Sequence, residues 1–224
     1  MNRLALLVIG LTLAPTHASA QPIAVPDVGS AGVGVFAHRT YRDFKLSNGD
    51  RWSAGWTRNG LLVHATVAHR VVFMATGSYE RPYTDSRYPG RIYQGLGIGG
   101  GATFYPVIAG AYRIGASVRW YRHTWLDQSI QHFDKAAEGT SVALQVERGF
   151  KRRSLNALVW VAPAYLRDRT SEHRGIYPES ALVSSDNLGA ICGASLALWG
   201  HLDPYVQLGV VEHLQTQVGV SYIY

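Results

Sequence analysis

Residues Ala111 to Tyr121 read "AYRIGASVRWY". Tyr112, Ile114, Ala116, Val118 and Trp120 fall on one side of an extended chain, while Arg113, Gly115, Ser117, Arg119 and Tyr121 fall on the other. Successive side chains of a β-strand point to opposite faces, so this period of two describes a strand with one apolar and one polar face. The split recurs between Thr140 and Glu147, where Val142, Leu144 and Val146 oppose Ser141, Gln145 and Glu147. It returns where Val206, Leu208 and Val210 oppose Tyr205, Gln207 and Gly209. In "IYQGLGIGGGAT", Ile92 to Thr103, one face carries Gly95, Gly97, Gly99 and Gly101 and the other carries Leu96, Ile98 and Ala102. So many glycines would weaken a helix. The chain reads as all-β.

Two architectures use such strands: a soluble sandwich with its apolar face inside, and a membrane barrel with its apolar face outside. Several alternating runs reach about ten residues, the length a tilted strand needs to cross a bilayer, whereas soluble strands commonly have about five or six. Aromatic residues near the strand ends, at Trp52, Trp56, Tyr79, Phe104, Tyr105, Trp120, Trp125, Trp160 and Trp199, match interfacial girdles. Strands are expected at 31–43, 50–67, 71–82, 91–104, 110–124, 137–147, 153–166, 184–199, 204–212 and 216–224. That is about ten, an even number as in bacterial single-chain barrels. Eight is the alternative count, because Asn59-Gly60 can also form a turn and the final hairpin is weakly marked. Short connections near Ala68 to Arg70, Tyr105-Pro106, Gly149 to Arg152 and Gly200 to Asp203 alternate with longer polar ones near Pro82 to Gly90, Trp125 to Ala136 and Arg167 to Val183. The expected fold is a closed antiparallel transmembrane β-barrel, with short periplasmic turns and long outer loops.

The beginning of the chain fits export. Asn2-Arg3, the apolar run Leu4 to Ala14 and Ala18-Ser19-Ala20 compose a signal peptide over residues 1–20, with cleavage before Gln21. Residues 21–30 then form a periplasmic lead-in, and 31–224 the barrel domain. Gln21 follows the cleavage site where a lipoprotein would carry Cys. The single cysteine, Cys192, has no partner for an internal disulfide and reads as a small apolar side chain.

The stretch "QVGVSYIY", Gln217 to Tyr224, alternates to its last residue. It resembles the C-terminal assembly signal of outer-membrane β-barrel proteins, through Gln217, Gly219, Tyr222 and Tyr224, with Tyr224 in the place where that family usually has Phe. The resemblance, to small outer-membrane barrels of eight to ten strands from Gram-negative bacteria, implies an outer-membrane location and recognition by the barrel-assembly machinery. It also implies contact with outer-membrane lipid and lipopolysaccharide, and a monomer. Passive anchors, adhesins, narrow pores and a few enzymes share that fold, so function has to be argued from sites.

The formal net charge is +6. No dense basic stripe accompanies a nucleic-acid-binding motif, so an exported basic chain points to anionic surfaces instead. His38, His64, His69, His123, His132, His173, His201 and His213 read as scattered loop and turn residues. The only H-x-S, His17-Ala18-Ser19, lies in the signal peptide, and Glu172-His173 and Glu212-His213 lack the second histidine of H-E-x-x-H. No catalytic, cofactor or metal site is expected. Glu80, Arg113, Arg119 and Glu147 should form a polar network in the lumen, with Arg113 or Arg119 facing Glu147. Gln145, Tyr205, Gln207 and the glycines from 95 to 101 should line the same space. Arg81, Arg87 and Arg91, among Tyr83 and Tyr88, are expected to meet lipopolysaccharide phosphates, since guanidinium groups bind phosphate bidentately. The expected function is a non-enzymatic outer-membrane protein that stabilises the envelope or presents surface loops. A narrow pore for ions or small solutes is the alternative, and a lipid-modifying enzyme the second alternative.

Overall fold

A computed structural model describes residues 31–45, 49, 51–67, 70–85, 93–127, 133–152, 155–174, 177–184, 188–199, 201–211 and 213–224. The expected signal peptide and lead-in lie outside the described residues, as do Arg87 and Arg91. The strands are β1 (Ala31–Lys45), β2 (Arg51–Val67), β3 (Val71–Asp85), β4 (Tyr93–Ala109), β5 (Tyr112–Asp127), β6 (Phe133–Arg152), β7 (Leu155–Arg174), β8 (Tyr177–Ser184), β9 (Leu188–Ala197), β10 (Leu202–Val211) and β11 (His213–Ile223).

Consecutive strands pair antiparallel from β1 through β7, and β11 returns to pair with β1 from Gly32↔Ile223 to Thr40↔Gln215. The sheet is a closed barrel. β8 and β9 lie in succession along β7, Val183 opposite Arg169 and Leu188 opposite Tyr165, so together they fill one place in the wall. Ten strands therefore close the ring. The β10–β11 hairpin is short, and beyond its tip β8 reaches over to β1, with Phe44↔Ser184 and Lys45↔Val183 paired. A second closed circuit, β1 to β7 plus β8, sits at that end.

The barrel is apolar outside and polar inside. Val35, Leu61, Leu96, Val118 and Leu144 are each more than half exposed on the outer surface, whereas Glu80, Glu147, Gln145 and Gln217 have at most 1% of their surface exposed. A water-soluble fold inverts this arrangement. On β5, outward Tyr112 and Trp120 are eight residues apart, about 26 Å along the strand at ~3.3 Å per residue. That spacing suits two aromatic borders of a tilted apolar band.

Several expectations need correction. Tyr105-Pro106 is a break in the β4–β5 register inside the strand, between Phe104↔Ala116 and Val107↔Ile114. Proline has no N–H for the ladder, so a bulge can house it. The turn comes later, at Gly110, whose φ of 59° is the left-handed conformation glycine adopts without a Cβ clash. Gly149 to Arg152 belongs to β6, and Asn59-Gly60 runs straight through β2. The three expected outer loops are shorter than predicted: β3 extends to Asp85, β5 and β6 reach Asp127 and Phe133, and 167–183 is largely a β7–β8 hairpin. Where strands leave the lipid, both faces meet water and alternation fades, although backbone pairing continues. The aromatic girdle also shrinks. Trp56, Tyr105, Trp125 and Trp160 are buried in the lumen, while Tyr79, Phe104, Trp120 and Trp199 are exposed outside; the side chain of Trp52 lies outside the described residues.

Candidate functional site

The lumen holds the concentrated polar chemistry of the described residues, and alternation positions every member. Towards the short-turn end, Arg113 and Glu147 face each other across β5 and β6, with Arg113 Nε 3.4 Å from Glu147 Oε2. Tyr105, turned inward from the bulge on β4, donates its hydroxyl to Glu147 Oε1 at 2.6 Å, and Gln145 Nε2 donates to the same oxygen. The Arg113 guanidinium lies 5.8 Å from the Tyr105 ring centroid. One buried carboxylate thus has a cation and two neutral donors, which compensates its lost hydration.

A middle layer follows. Gln217 of β11 donates to the Tyr205 hydroxyl of β10 at 3.0 Å, and Tyr205 packs with Leu158, Trp160 and half-buried Phe36. Gly219 lies directly under the Tyr205 ring, where a side chain would collide with it. Arg119 is also buried in the lumen.

The third layer centres on Glu80 of β3. Arg58 Nε is 3.1 Å from Glu80 Oε1, His123 Nδ1 contacts the same oxygen, and Ser78 Oγ donates to it at 3.2 Å. Gly97 of β4 makes the room, since a Cβ there would stand 2.5 Å from Ser78 Oγ and 2.6 Å from Glu80 Oε1. A small pocket, partly open to solvent, lies beside this cluster and is lined by His38, Arg58, Tyr121 and His123, among others. Beyond it, towards the outer end, buried Trp56 and Trp125 stack with ring centroids 5.7 Å apart.

The structure thus gathers Arg113 and Glu147 in one cluster and places Glu80 in another, with Arg119 between. Sequence reading missed Arg58, His38, His64 and His123 as lumen residues. His38, His64 and His123 are buried inside strands, not in loops or turns. Extending the alternation of Arg113 to Tyr121 by two steps would have put His123 inside. Among the described residues, no group of three or more His, Cys, Asp or Glu is arranged to hold a metal ion. Cys192 is free and exposed on the outer surface.

Outside, arginines continue the strands beyond the apolar band at the long-loop end. Arg39, Thr57 and Arg81 form one cross-strand row, and Arg122, Glu138 and Arg169 another. All four arginines are exposed. On β11, Gln217 and Gly219 face the lumen, while Tyr222 and Tyr224 face out, edge to face at 5.1 Å. The Tyr224 N–H donates to the Ala31 carbonyl at 2.8 Å, tying the last residue to the first strand.

Closed, antiparallel, apolar outside and polar within, the chain has the architecture of a transmembrane β-barrel. Compared with the models of known protein families it matches none, and a comparison with curated proteins finds no match either. Among solved structures it is similar to the outer membrane protease OmpT from Escherichia coli, at 9% identity over 92% of this chain and 100% of that one, with a TM-score of 0.49. It is similar also to the outer membrane protein OprG from Pseudomonas aeruginosa, at 13% identity over 91% and 99% of the two chains, with a TM-score of 0.44. The translocator domain of the autotransporter NalP from Neisseria meningitidis gives 11% identity over 98% and 93%, with a TM-score of 0.44.

Proposed function

We propose that this protein is an integral outer-membrane barrel with a plugged lumen, a non-enzymatic element that stabilises the envelope or presents its outer segments. The observation that carries this reading is the filling of the lumen. Glu147 and Glu80, each with none of its surface exposed, anchor clusters at two levels, and Trp56 and Trp125 stack beyond them. Opening a path for ions means separating buried charge pairs, which costs several kcal/mol for each ion left unpaired. The outer arginine rows supply the anchorage. Their guanidinium groups stand just beyond the apolar band, where lipopolysaccharide phosphates would be met.

The test is single-channel recording from residues 21–224, refolded into planar bilayers after insertion has been verified by protease protection. A silent bilayer is the expected result. Discrete, reproducible conductance steps would instead establish a narrow pore, with Arg113, Arg119 and Glu147 as its selectivity residues.

A further inference from the structure

Arg148 breaks the apolar pattern of β6. Val142, Leu144, Val146, Arg148 and Phe150 all occupy outward positions, and Arg148 is the single charge among them. It lies opposite Tyr112 on β5 and Val159 on β7. Its guanidinium carbon is 5.2 Å from the Tyr112 ring centroid and 4.9 Å from that of Phe150, so two aromatic rings hold one cation. The backbone beside it is pinned, because the Gly149 N–H donates to the Ala111 carbonyl at 2.8 Å.

Depth and charge together indicate what meets it. An arginine on the lipid side costs about 2–4 kcal/mol at the bilayer midplane but about 0–1 near the interface, so this one belongs at headgroup level of the short-turn end. The outward positions around it, Tyr112, Val146, Phe150 and Val159, carry no carboxylate. Arg70 and Lys151, both exposed, add positive charge at the same end. A zwitterionic headgroup would find an anchor for its phosphate but none nearby for its amine.

We propose that Arg148, clamped between Tyr112 and Phe150, is a binding site for the phosphate of an anionic glycerophospholipid in the periplasmic leaflet. The rings fix the guanidinium plane and leave its N–H edge for the phosphate oxygens. The site stands on the outer surface, and it does not depend on whether the lumen conducts.

Native mass spectrometry of the folded barrel, released from micelles doped with phosphatidylglycerol or phosphatidylcholine, tests this. The wild type should retain phosphatidylglycerol in preference to phosphatidylcholine. Arg148→Ala should lower phosphatidylglycerol retention by about tenfold, the loss of one charge-assisted contact, with Arg148→Lys in between. Thr140→Ala, an uncharged outward position on the same strand, should leave it unchanged. If Arg148→Ala does not fold, the Tyr112→Leu/Phe150→Leu double variant makes the same test by removing the clamp. Retention equal to wild type in the folded variant, or equal retention of both lipids by the wild type, would overturn the proposal.

Discussion

Glu147 shows how a single residue in this lumen is stabilised. It is fully buried and receives Arg113, Tyr105 and Gln145, so removing the cation leaves a charge with only neutral donors. Arg113→Ala should lower stability by about 3–5 kcal/mol in urea unfolding from lipid vesicles, whereas replacing both Arg113 and Glu147 with Leu should recover much of that loss. If the single and double variants unfold alike, the pair is not coupled. That Arg113 or Arg119 would face Glu147 could be read from sequence because they lie on adjacent, strongly alternating strands; the choice of Arg113 is made by the register. Glu80 was different. Parity placed it inside, but its partners Arg58 and His123 come from β2 and β5, and only the register and curvature of the closed wall bring three strands to one point.

At the scale of the strand, β4 is defined by what it lacks. Its inward glycines give space to large neighbours: a Cβ on Gly101 would lie 2.5 Å from the Val118 carbonyl and 2.7 Å from Arg119 Cγ. The first obstacle is backbone and cannot swing aside. Gly101→Val should therefore cost about 1–3 kcal/mol, the usual range for overpacking, and slow refolding into vesicles should accompany it. An unchanged urea midpoint would show that β4 can shift away from β5. The glycine face of this strand was visible in the sequence, because alternation survives when one face has no side chains. The strand's end was not. Tyr105-Pro106 carried a turn signal, but the register break absorbs the proline, and Gly110 makes the turn.

At the scale of the whole molecule, the apolar exterior is the property that defines the fold. Val118 lies on that surface six residues from the short-turn end of β5 and is 53% exposed. Val118→Arg should cost about 2–4 kcal/mol in bilayers if the site is near the midplane, and much less in a micelle that can deform around it. A neutral result in bilayers would place the apolar band elsewhere. This inside-out pattern was legible from sequence wherever strands cross lipid, since lipid on one side and a polar lumen on the other enforce alternation. Outside the band nothing enforces it, and there the β7–β8 hairpin was read as loop.

The departure of β10 and β11 from the wall below the level of β8 has a geometric result. With neighbouring strands about 4.8 Å apart, ten strands make a perimeter of about 48 Å and eight make about 38 Å before tilt is counted. The molecule is therefore shaped like a bottle: a wide body displaces lipid, and a neck about a fifth smaller in girth carries the outermost segments. The hydrogen bonds of Phe44 and Lys45 to β8 form the seam of that neck.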